Sequence, residues 1–175
     1  MSVRLFRLSV LGLALLAAGC SSKIVVCPVP AILADTSTIT VMRPGTTPDL
    51  ANELYTVRLT DAGSDCTINN KTAVVKSSLS LTFVATRAPT RDGARYSVPY
   101  FVVVTEGAKI YAKRAYTLNV EFAPGAATAT IKQAPEDISL VNEAGKLPWN
   151  YQLMAGFQMS AAQIDYAKNR SRYLP

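Results

Sequence analysis

The chain runs to 175 residues with a formal charge of +6 and not one histidine. That absence excludes Ser-His-Asp and Cys-His catalysis and most zinc sites, which depend on an imidazole. The length suits one domain with a sizeable core, and the lysines and arginines are scattered rather than gathered in stripes, which excludes a nucleic-acid reader.

Arg4 and Arg7 precede an apolar run from Leu8 to Ala18, which closes in Leu16-Ala17-Ala18-Gly19-Cys20. A positive start, a short apolar core and small residues at the cleavage point make a secretory signal. The run is shorter than the about 20 residues that a stable membrane-spanning helix needs, and Gly12 interrupts it. Residues 16–20 resemble the lipobox of bacterial lipoproteins, with Ala17 standing where leucine is commonest. The resemblance implies that residues 1–19 are removed and that Cys20 carries acyl chains on its thiol and its amine. Ser21 after the cysteine implies sorting to the outer membrane, facing the periplasm. Each buried CH2 contributes about 0.8 kcal/mol, so several chains together hold a protein to a membrane essentially permanently. Cleavage leaves 156 residues with a charge of +4.

With Cys20 taken by lipid, Cys27 and Cys66 remain as a pair in an oxidising compartment, and a disulfide between them is expected; two buried free thiols are the alternative. Neither belongs to a C-x-x-C pair, which disfavours redox chemistry. Residues 20–36, broken by Pro28 and Pro30, read as a lipidated tether that becomes an edge strand.

From residue 37 to 159, β-branched and aromatic residues recur in short runs between turn residues, the pattern of an all-β domain. Thr38 to Arg43 stops at Pro44-Gly45, Leu54 to Thr60 stops at Asp61-Ala62-Gly63, and Cys66 to Asn69 turns through Asn70-Lys71 into Thr72 to Lys76. Leu79 to Arg87 alternates Leu79, Leu81, Phe83 and Ala85 with Ser80, Thr82, Val84 and Thr86, as a strand with one buried face does. Tyr96 to Thr105 is expected to pair with it antiparallel across residues 88–94, and Lys109 to Phe122 to complete a three-strand meander after Glu106-Gly107-Ala108. Thr128 to Gln133 and Ile138 to Val141 read as shorter outer strands. The expected architecture is an immunoglobulin-like antiparallel β-sandwich with a short C-terminal helix, although the Cys-Trp-Cys spacing of true immunoglobulin domains is absent. Residues 160–175 hold that helix and a tail, since Ser160 and Gln163 match a capping box.

No G-x-S-x-G, P-loop, G-x-G-x-x-G or EF-hand ligand series occurs, so the chain reads as a non-enzyme with no cofactor and no metal. Two segments are candidates for binding. Arg87, Arg91 and Arg95 bracket a loop where three guanidinium groups would grip a carboxylate or phosphate, or simply be solvated. Trp149, Tyr151 and Phe157 lie in an aromatic stretch that reads either as a partner surface or as a strand docked in the core. The expected function is a structural or protein-interaction role in an envelope complex, with a membrane reached through the lipid anchor. The alternative is a module that binds cell-wall glycan (peptidoglycan) or a small ligand.

Overall fold

The computed structural model describes residues 26–173, so the signal sequence and Cys20 lie outside the described residues. Among the described residues, nine strands form two sheets, and one α-helix follows them. Strands β1 (Val29–Ile32), β9 (Gln152–Phe157), β5 (Ala94–Glu106) and β6 (Lys109–Phe122) make the first sheet in that spatial order. Strands β2 (Thr38–Met42), β3 (Glu53–Asn69) and β4 (Val74–Thr86) begin the second. The far edge of β4 is shared, its start pairing with β8 (Ile138–Val141) and its end with β7 (Thr128–Gln133). Helix α1 spans Ala161–Tyr173.

The two sheets face each other as a sandwich, and strict alternation supplies the core. On β4, Val75, Ser77, Leu79, Leu81, Phe83 and Ala85 are buried while Lys76, Ser78 and Ser80 are exposed. Opposite them stand Val98, Tyr100, Val102 and Val104 of β5 and Leu153, Ala155 and Phe157 of β9, all buried. Phe83 bridges the sheets, with its ring centroid 5.4 Å from that of Tyr100 and 5.7 Å from that of Phe157. Near the other end Tyr55 of β3 stacks on Tyr96 of β5 at 4.2 Å.

Three expectations need correction. First, β4 and β5 are not hairpin partners: β4 lies in one sheet and β5 in the other, and only β5 and β6 form the expected hairpin. Each strand has one apolar face, a pattern that suits neighbours in a sheet and partners across a sandwich equally. The connection through residues 87–93 crosses between layers, and Arg87 fastens it by donating from Nε to the Ala126 carbonyl (3.1 Å) and from a terminal nitrogen to the Asp92 carbonyl (2.7 Å). Second, Asp61-Ala62-Gly63 is not a turn. Strand β3 runs on to Asn69 with a bulge between Leu59 and Asp61, and one extra residue shifts the alternation by one position. Tyr55, Val57 and Leu59 face inward before the bulge, Ala62 and Cys66 after it, and this change of phase imitates a strand end. Third, the sandwich is not wholly antiparallel, because β1 pairs with β9 in parallel, from Val29 opposite Gln152 to Ile32 opposite Ala155.

The Cys27–Cys66 disulfide is present, with Cα atoms 5.5 Å apart. It joins the residue two before β1 to the far half of β3, which β2 does not reach. The Ser64 hydroxyl adds a hydrogen bond to the Pro28 carbonyl at 2.8 Å. Edge strand β1 of one sheet is thereby fastened to the other sheet. The cross-linked cysteines are 39 residues apart in sequence, and closing such a loop stabilises a fold by about 4 kcal/mol in the chain-entropy model. Replacing both cysteines by alanine is expected to lower unfolding stability by about 2–4 kcal/mol, read from the denaturant midpoint; a loss below about 1 kcal/mol would contradict this role for the bridge.

Candidate functional site

One end of the sandwich collects the turn from β3 to β4, the β5–β6 hairpin, the connection from β8 to β9 and the start of β1. Register places them together: Asn69 faces Val74, Val74 faces Val141, Glu106 faces Lys109 and Val29 faces Gln152. In the first turn the Asn69 side-chain carbonyl accepts from the backbone N–H groups of Lys71 (3.0 Å) and Thr72 (3.3 Å), and Ala73 takes a left-handed conformation at φ 53°.

Ion pairs strap the β8–β9 connection to the hairpin. Lys146 Nζ lies 2.5 Å from Glu106 and 3.1 Å from Glu143, and Lys109 Nζ lies 2.6 Å from Glu143. Tyr111 donates to Glu106 at 3.4 Å, and the Glu143 N–H donates to the Tyr151 hydroxyl at 3.0 Å. The hydrogen bond from Lys109, and then that from Lys146, holds the Glu143 carboxyl well below its ordinary range, at about 2. Lys146 moves the opposite way, its ammonium stabilised chiefly by Glu106.

Beside this strap, residues Pro148–Asn150 form a short 3-10 turn, closed by the Asn150 N–H to the Leu147 carbonyl (2.9 Å) and by the Leu147 N–H to the Asn150 side chain (2.8 Å). The turn buries Pro148 and Tyr151 and leaves Leu147 and Trp149 outside, 47% and 44% exposed. With Val26 and Ile68 they surround a shallow depression of about 920 Å3 next to Cys66. An exposed tryptophan among exposed aliphatic side chains is the kind of apolar patch that marks a contact surface.

The aromatic stretch divides. Trp149 is at the surface, but Tyr151 and Phe157 are 0% and 1% exposed, so neither offers a face to a partner. Both stand on the inward side, with Leu153 and Ala155 between them, and β9 is an inner strand of its sheet rather than an edge. The arginines do not converge either. Arg87 is turned onto backbone carbonyls and lies over the Phe122 ring at 4.6 Å, Arg95 is paired with Glu121 at 2.9 Å, and Arg91 is exposed.

At the opposite end, sequence reasoning missed a cleft of about 430 Å3 between the outer face of the second sheet and helix α1. Ser160 and Gln163 cap the helix reciprocally, at 3.3 and 2.8 Å, as the capping box anticipates. Its inner side brings Tyr166 and Arg170 to Glu53, at 2.7 and 2.8 Å. Burial, reinforced by Glu53, pushes the Tyr166 hydroxyl up to about 12. Threonines 38, 40 and 56 and the exposed guanidinium of Arg58 line the rest of the cleft. No local motif announces it, because Glu53 and Arg170 are more than a hundred positions apart in the chain.

Comparison with models of protein families, with curated proteins and with solved structures found no match.

Because Glu143 titrates at about 2 in the fold against an ordinary 4.5, its ionised form stabilises the protein above that ordinary value, and the contribution fades as pH falls towards about 2. Glu143→Gln is therefore expected to lower the melting temperature at neutral pH. The gap from the parent protein should close on acidification through this window, measured by thermal melts across pH; a gap independent of pH would contradict the strap.

Proposed function

We propose that the protein is a lipoprotein of the bacterial outer membrane, held by acylated Cys20 on the periplasmic side, with a structural or protein-interaction role in an envelope complex. One observation carries this reading, the short distance along the chain between the lipobox and the fold. The lipobox-like run ends at Cys20, and six residues later the chain reaches Val26 at one end of the sandwich, where the Cys27–Cys66 bridge fixes it. Six extended residues reach at most about 20 Å. An anchor at Cys20 would therefore hold this end near the lipid and point the other, with α1 and its cleft, into the periplasm. Confinement to a surface raises effective concentration near membrane partners, so that modest contacts suffice for assembly.

For the domain itself we propose an immunoglobulin-like arrangement, supported by two face-to-face sheets and by connections that cross between them, such as that from β4 to β5. A second reading, a module for cell-wall glycan or another small ligand, draws on the distal cleft, where Arg58 stands ready for an anionic group. Binding to purified peptidoglycan that Arg58→Ala abolishes would favour it over a protein partner.

The anchor is tested by metabolic labelling with an alkyne fatty acid. The parent protein should carry label and fractionate with the outer membrane, whereas Cys20→Ser should lose the label and move to the soluble periplasmic fraction. Retention of Cys20→Ser in the membrane, or a parent protein without label, would contradict the anchor.

A further inference from the structure

We propose that the end of the sandwich bearing Val26 and Trp149 is itself a lipid-contacting surface, seated in the head-group layer of the phospholipid leaflet that holds the anchor. The proposal rests on the anchor reading for its membrane, but on separate observations for its contact. Of the eight large hydrophobic side chains exposed among the described residues, all but Leu50 lie at this end. Val26, Ile68, Leu147 and Trp149 ring one depression, while Ile110 in the β5–β6 hairpin and Val141, opposite Val74, are exposed at the same end of the strands. Side chains of this size scattered over a soluble domain need no explanation, but their collection at one end does.

The occupant follows from where the chain leads. Val26 belongs to the patch and is six residues from Cys20, so the patch and an acyl chain on Cys20 lie within reach of one surface. A protein partner would need to fit between the domain and the membrane at the point where the tether is shortest. Tryptophan suits the interface between water and lipid, its ring in the apolar boundary and its N–H towards water.

The charges of this end fit the same occupant. Lys109 and Lys146 are matched by Glu143 and Glu106, so these four charges approach lipid already paired. Their aliphatic stems can lie along the apolar layer while the charged heads stay wet. Lys71, exposed in the β3–β4 turn, adds a cation that suits a lipid phosphate. Binding should therefore depend on apolar insertion more than on salt.

Trp149 is the only tryptophan of the chain, so its emission reports this surface alone. The full-length protein, processed by its own cell and purified from it, is mixed with vesicles of phosphatidylethanolamine and phosphatidylglycerol whose acyl chains are brominated near the head group. The proposal expects emission to shift to shorter wavelength and to lose most of its intensity to the bromine. The double variant Ile68→Ser/Leu147→Ser, both positions exposed, should recover most of that loss. The acylation state of the same sample, read by mass, separates the two claims. An acylated protein whose Trp149 is not quenched overturns lipid contact and leaves the anchor standing. Quenching in a protein without acyl chains supports lipid contact and removes the anchor. Emission already at short wavelength without lipid, and restored to longer wavelength by dilution, would assign the patch to a second copy of the chain and overturn the proposal.

Discussion

The bond between Cys27 and Cys66 decides how strand β1 meets the rest of the molecule. Strand β1 is only four residues long and lies at the edge of its sheet, paired on one side alone. Four ladder positions against β9 would fray without help. The cross-link, with the Ser64–Pro28 hydrogen bond, fastens that edge to the far half of β3 in the opposite sheet, on the flank that β2 leaves uncovered. The bulge after Leu59 belongs to the same arrangement, because it changes the face that β3 presents inward and thereby brings Ser64 and Cys66 towards β1. One covalent bond thus closes a side of the sandwich and fixes the position from which the chain runs back towards Cys20.

The molecule that results has two unlike ends. At one, the strap of Glu106, Lys109, Glu143 and Lys146 pins the β8–β9 connection so that its short turn holds Trp149 outward. At the other, α1 lies against the second sheet through Glu53, with Arg170 and Tyr166 sharing one carboxylate. Each end is ordered by ion pairs and hydrogen bonds at its rim, while the stability in between comes from apolar burial around Phe83. This division is what gives an anchor at Cys20 a directional consequence: it would present one chemistry to lipid and another to the periplasm.

Much of the fold could be read from the sequence because period-2 alternation is written residue by residue. Strands β7 and β8 fall on the expected spans, the β5–β6 hairpin turns at Gly107, and Ser160 starts the helix. What alternation does not carry is which sheet a strand joins, so β4 and β5 were assignable as neighbours although they face each other. A single extra residue at a bulge also looks like an ending, which hid the continuity of β3. The aromatic stretch held the same ambiguity, since a residue type that suits an interface also suits a core. Position at the start and end of an inner strand, Tyr151 just before β9 and Phe157 its last residue, buries both rings, and a proline-started turn exposes Trp149. The cleft under α1 depends on contacts between distant parts of the chain that no local pattern records.

The central claim is that the end bearing Val26 and Trp149 is the membrane-proximal one. Amide hydrogen exchange tests it most directly, comparing membrane-reconstituted protein with the soluble Cys20→Ser form. The account predicts slower exchange on the membrane in the β3–β4 turn at residues 70–73 and in the β8–β9 connection at residues 142–150, with residues 88–93 at the opposite end unchanged. Protection of residues 88–93 instead, or exchange that is the same in both forms at both ends, would contradict it.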